Sequence, residues 1–176
     1  MVQYLSALLM YAGITSAITG AFAGDFDTSI PMQSKGAATY YIEGRLQGVG
    51  PIEFMVDTGS GYLTISRKVL STLLRQQQAR YVKDLVGVLA NGNELVVPVY
   101  SIAELNLGGQ CELTDVEAAI FPEESRFILG LSALQKAAPF IFSLDPPALA
   151  LSNCVKKAPS TWIASEGTLP ISLRRP

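Results

Sequence analysis

The sequence predicts an all-β domain with one or two short helices. Three observations carry that prediction. Short apolar runs rich in β-branched and aromatic residues, such as Ile52–Val56 and Tyr62–Ile65, recur along the chain with glycine beside them. Turn sequences separate the runs: Gly48-Val49-Gly50-Pro51, Ala90-Asn91-Gly92-Asn93, Gly108-Gly109 and Asp145-Pro146-Pro147. Helical spacing over several turns is confined to Arg67–Gln78, where Val69, Leu70, Leu73 and Leu74 share one face.

Taken in order, residues 5–23 are uncharged and largely apolar and end in Ala21-Phe22-Ala23, a small-x-small pattern suited to a signal-peptidase cut before Gly24. Met1-Val2-Gln3-Tyr4 brings no lysine or arginine, so an uncleaved membrane anchor stays open beside the signal peptide. Residues 24–36 are polar and mixed, with Pro31, Ser34 and Gly36, and read as a linker or extended arm. The domain is expected over 37–155. Its first strand, Thr39–Gln47, turns at Gly48–Pro51 into the strand that ends at Val56. Ser66 is placed to cap the helix of Arg67–Gln78. Tyr81–Leu89 and Glu94–Tyr100 form a projecting hairpin, and Pro98 assigns its second strand to an edge. Ile102–Leu107 and Cys111–Ile120 make the next hairpin. Phe127-Ile128-Leu129-Gly130 is a short apolar strand ahead of a helical piece that Pro139 stops, and Phe140–Leu144 with Ala148–Ser152 closes the domain. The proline-rich stretch 156–176 reads as an irregular tail.

Composition narrows the chemistry. The 176 residues fit one domain, and a net charge of −2 without any basic block offers no field for nucleic acid. There is no histidine, which excludes Ser-His-Asp and Cys-His catalysis and most zinc sites. Cys111 and Cys154 are too few for a typical metal site and are either one disulfide or two buried thiols. No metal and no cofactor is expected. Carboxylates remain as the reactive groups.

Among them Asp57 stands apart, because two apolar runs hold it in Asp57-Thr58-Gly59-Ser60-Gly61, where water is scarce. Burying a charge costs several kcal/mol unless it is paired or hydrogen-bonded. Gly59 and Gly61 permit close approach of backbone N–H groups, and Thr58 and Ser60 add hydroxyls. The plain alternative is a turn aspartate that satisfies its own backbone.

Three features in this order resemble a retropepsin-like domain, the single-lobed aspartic protease type found in retroviruses and in exported or membrane-anchored bacterial proteases. They are the loop Asp57-Thr58-Gly59, a hairpin tipped by Ala90-Asn91-Gly92 in the position of the flap, and Ile128-Leu129-Gly130 before a short helix. The resemblance runs from about Ala37 to Asn153. It implies a closed, acid-protease-like β barrel with one lobe per chain, and a strand ending at Gly130 that packs across the Asp57 loop. It also implies an aspartic endopeptidase acting on peptides or unfolded proteins, with Asp57 catalytic and Thr58 bonding across a dimer axis.

Such chemistry needs two carboxylates, and this chain supplies one, so a homodimer pairing Asp57 with its copy is expected. Activity is then expected on the acid side of neutral. Ser60 is expected to bond the Asp57 carboxylate and favour its charged form. The expected location is the periplasm, free or anchored to the inner membrane through residues 5–23. A catalytically silent dimeric peptide-binding or assembly module on the same fold is the alternative function. An exported structural protein stapled by Cys111 and Cys154 is a third reading.

Overall fold

The structure, a computed structural model, describes residues 26–88, 94–122 and 125–155. The signal or anchor segment, the hairpin tip Ala90-Asn91-Gly92 and the tail 156–176 lie outside them. The elements run β1 (Thr28–Pro31), β2 (Gln33–Ser34), β3 (Tyr40–Leu46), β4 (Gly50–Val56), β5 (Leu63–Ser66), α1 (Arg67–Arg75), β6 (Ala79–Val88) and β7 (Glu94–Leu107). They continue with β8 (Cys111–Phe121), β9 (Ile128–Leu129), α2 (Leu131–Leu134) with a 3-10 turn after it, β10 (Phe140–Leu144) and β11 (Pro147–Leu151). The all-β expectation holds.

The large sheet has the order β2-β3-β4-β9-β5-β8-β7-β6, and a further pairing of β3 with β7 closes it into a barrel. At that seam Gly44 faces Leu107 and Leu46 faces Leu105. Glycine is needed there, because a Cβ at Gly44 would lie 2.7 Å from the ring of Phe54, a side chain with no exposure. Alternate residues of β3 and β4, among them Ile42, Leu46, Ile52 and Phe54, point into the core with Leu105 and Leu107.

α1 covers one side of the barrel with Val69, Leu70 and Leu73. Ser66 caps it as the sequence predicts, its hydroxyl accepting the Val69 N–H at 3.3 Å. The helix stops at Arg75, short of Gln78, because Gln77 turns to a φ of +58°. The N–H groups of Gln77 and Gln78 then bond back to the carbonyls of Leu74 and Leu73.

Two expectations are corrected. The stretch read as a linker is packed: β1 pairs with β11, β2 pairs with β3, and Thr28, Ile30 and Met32 are buried. Its alternating Thr28, Ile30 and Met32 was masked by Pro31 and the polar residues between. Glu94–Tyr100 and Ile102–Leu107 are not separate strands but one, β7, which lies inside the sheet between β6 and β8. Pro98 is tolerated because pairing with β8 begins only at Val99, so the strand has a single neighbour where the N–H is missing.

The second sheet, β1-β11-β10, packs beside the barrel through an edge-on contact of Phe142 with Tyr40. Cys111 and Cys154 form a disulfide that ties the start of β8 to the segment after β11. The 43-residue separation corresponds to about 4 kcal/mol by loop-closure entropy.

Candidate active site

Asp57 follows the last residue of β4, and its backbone N–H donates to the Leu129 carbonyl of β9 at 3.1 Å. Its Oδ1 accepts the Gly59 N–H at 2.8 Å, while its carbonyl accepts the Ser60 N–H at 3.2 Å. A simple Asx-turn makes the Gly59 bond too. What goes beyond a turn is the strand laid across the loop.

β9 runs parallel to β4, with Val56 opposite Leu129, and antiparallel to β5, with Thr64 opposite Ile128. It thus fills the gap that the Asp57 loop opens between β4 and β5. Immediately after it, Leu131 N–H bonds the Ser60 carbonyl at 2.8 Å and Ser132 N–H bonds the Gly61 carbonyl at 3.0 Å. Gly130 sits against the loop so closely that a Cβ there would lie 2.2 Å from the Tyr62 carbonyl oxygen. The loop is therefore held from both ends and from below, leaving Thr58 and Gly59 exposed and Asp57 half-buried.

A cavity of about 580 Å³ opens beside the loop. Ser60, Tyr62, Thr64 and Ile128 form its floor, and Leu85, Leu95 and Val97 of the β6–β7 hairpin form its far wall. Phe121 and Arg126 stand at its remaining side. A second cavity, about 500 Å³, lies on the other side of Tyr62 among Asp115, Glu117, Ser132 and Lys136.

The model of the aspartyl protease family matches residues 42–133, just over half of the chain, and spans the Asp57 loop, the hairpin and the Gly130 crossing. The chain belongs to the aspartyl protease family. Among solved structures it is similar to a retropepsin-like aspartic protease from Rickettsia conorii, with a TM-score of 0.54 and 19% identity over 70% of this chain and 91% of that one. That likeness shows a retropepsin-like fold. No curated protein matches the chain.

Within this aspartyl protease fold the structure brings the Asp57 loop and Ile128-Leu129-Gly130 together, and it places the stems of the hairpin over the cavity. The expected bond from Ser60 to the Asp57 carboxylate is not made. Its Oγ donates instead to the Tyr62 carbonyl at 3.0 Å, because the turn at Gly61 brings that oxygen round to meet it. Ser60→Ala should accordingly lower stability by about 1 kcal/mol. Thermal unfolding measures that loss, and the pH profile of any activity should stay where it is.

Ser132 and Lys83 were missed in the sequence. Ser132 Oγ accepts the Leu63 N–H at 2.7 Å and donates to the Glu117 carbonyl at 2.6 Å, joining β5, α2 and β8. Lys83 Nζ donates to Glu117 Oε2 at 2.9 Å and lies 5.4 Å from the centre of the Tyr62 ring. The Glu117 carboxylate first, and the Tyr62 hydroxyl second, hold the Lys83 ammonium above its ordinary range. The lysine side of this pair is thus fully present below the ordinary lysine value and is lost only as pH rises through the raised one. Nothing in the local sequence marks either residue, and only the fold shows what they touch.

Proposed function

We propose that this protein is an aspartic endopeptidase whose reactive pair is Asp57 from each of two copies. The observation that carries the reading is the Asp57 loop itself, a carboxylate held by the Gly59 N–H with a strand crossed beneath it and its outer face open. Peptide hydrolysis by this route needs one carboxylate to take a proton from the attacking water while a second, protonated, donates to the scissile carbonyl oxygen. Two carboxylates about 3 Å apart hold one proton between them and so supply both roles. One chain brings a single Asp-Thr-Gly. A two-fold pair of chains completes the site.

The outer sheet supports such pairing. Among the described residues β10 pairs only with β11, which leaves its other edge open, and its Ile141 and Leu144 are 47% and 61% exposed. An open strand edge carrying exposed apolar side chains is a ready surface for a second chain. The substrate, a peptide or unfolded protein, would lie extended between the hairpin and the loop, with a large apolar side chain in the cavity beside Tyr62 and Leu85. With β1 and β2 packed onto the domain of 37–155, residues 1–23 are left for export or anchoring. The Cys111–Cys154 bond fits an oxidising compartment such as the periplasm.

The test uses residues 24–176, an unfolded protein as substrate, and a statine-type transition-state analogue. Cleavage on the acid side of neutral, suppressed by the analogue at concentrations far below those of substrate, is the expected result. A sample shown by sedimentation to be dimeric that neither cuts nor binds the analogue would instead be the silent peptide-binding module.

A further inference from the structure

β6 carries a bulge between Tyr81 and Lys83: Tyr81 faces Tyr100, yet Lys83 faces Val99, so Val82 is the extra residue. Side chains alternate along a strand, so a strand continuing regularly from Tyr81 would pair Lys83 with Pro98, on the face that Tyr100 and exposed Val96 share. The bulge turns it instead onto the face of buried Val99 and of Leu85 in the cavity wall. There it reaches Glu117 of β8 at 2.9 Å and the Tyr62 ring at 5.4 Å. The Glu117 carbonyl is in turn bonded by Ser132, whose Oγ accepts the Leu63 N–H. Tyr62 at the end of the loop and Leu63 at the start of β5 are thereby fastened to β6, β8 and α2 together.

The Lys83–Glu117 side chains are 44% and 37% exposed, and ion pairs of that exposure add little to global stability. Their consequence is local. We propose that Lys83 is a positioning residue that ties the root of the hairpin to the Asp57 loop through Tyr62 and Glu117. This rests on the proposed role of that loop in peptide hydrolysis. Tyr62 is the wall between the two cavities, so fixing it fixes both.

The test compares Lys83→Met, Glu117→Gln, their double variant and Lys83→Arg in the protein of residues 24–176. In Lys83→Met, amide exchange over residues 59–63 should quicken by about tenfold while the β3–β4 turn is unchanged. On an apolar peptide kcat should fall by about tenfold or more with KM altered less than about twofold, since displaced reacting groups cost rate. Glu117→Gln should match Lys83→Met, the double variant should add nothing, and Lys83→Arg should restore most of both readouts. Unchanged exchange at 59–63, a uniform quickening through the whole barrel, or multiplying effects in the double variant would each overturn the proposal. If the parent protein cleaves nothing, the proposed hydrolysis fails on its own, and the exchange measurements still decide whether Lys83 holds the loop.

Discussion

Asp57→Asn should lower peptide cleavage by about a thousandfold or more while the protein stays folded and its association is unchanged. General acid–base catalysis by a positioned group contributes about 10²–10⁴-fold, and in the proposed pair both roles pass through this position. Asparagine keeps an oxygen to accept the Gly59 N–H, so the loop retains the bond seen at 2.8 Å. It loses the capacity to take or give a proton. Circular dichroism and sedimentation check the fold and the assembly. Mixing then separates a shared site from an independent one. When parent and variant subunits exchange freely at equal amounts, about one quarter of the pairs carry two aspartates in a two-fold assembly. Activity should fall to about a quarter of the all-parent value, whereas a fall to one half would mean that each chain works alone and would refute the paired site.

Gly130→Ala should be severely damaging, because among the described glycines its added methyl group makes the tightest contact with backbone. The new Cβ would meet the Tyr62 carbonyl oxygen at 2.2 Å and the Ser60 carbonyl oxygen at 2.7 Å. Both are backbone atoms of the loop, which cannot swing aside as a flexible side chain can. The φ of Gly130 is −96°, so the obstacle is crowding and not an inaccessible backbone angle. Overpacking of this kind costs about 1–3 kcal/mol and more where the neighbours are rigid, so a loss of about 3 kcal/mol is expected. Relief can come only by moving the loop away from β9, which lengthens the bonds from Leu131 and Ser132 to Ser60 and Gly61. Activity should therefore fall further than stability does. Denaturant unfolding and a peptide assay give the two numbers, and a variant as stable and active as the parent would show that the crossing is looser than the distances say. Gly61 makes a useful control, since a Cβ there has nothing within 4 Å and its φ lies outside the left-handed region.

Much of this was legible in the residues. The strand-rich pattern, the capped helix at Ser66 and the Asp57 bend follow from local chemistry, namely side-chain shape, glycine placement and an N-cap hydroxyl, whereas the crossing at Gly130 was implied by the resemblance to retropepsin-like domains. Features that depend on which distant segments meet were harder to read. Ser60 has several carbonyls within reach in sequence, and only the path of the Gly61 turn selects the one at Tyr62. Pro98 correctly marked a place with one neighbour but not the length of the strand around it.

From its order of residues alone this protein is an all-β chain with one carboxylate set in a glycine-rich bend and an apolar-apolar-Gly partner segment later on. Those properties are local, since each is decided within a few residues by backbone freedom and by the alternation of apolar side chains. Tertiary structure decided the rest: β1 and β2 join the fold, β3 and β7 close the barrel, and a bulge swings Lys83 toward the loop. The reason is register, because a shift of a single residue exchanges the two faces of a strand, and the choice is made by neighbours tens of residues away.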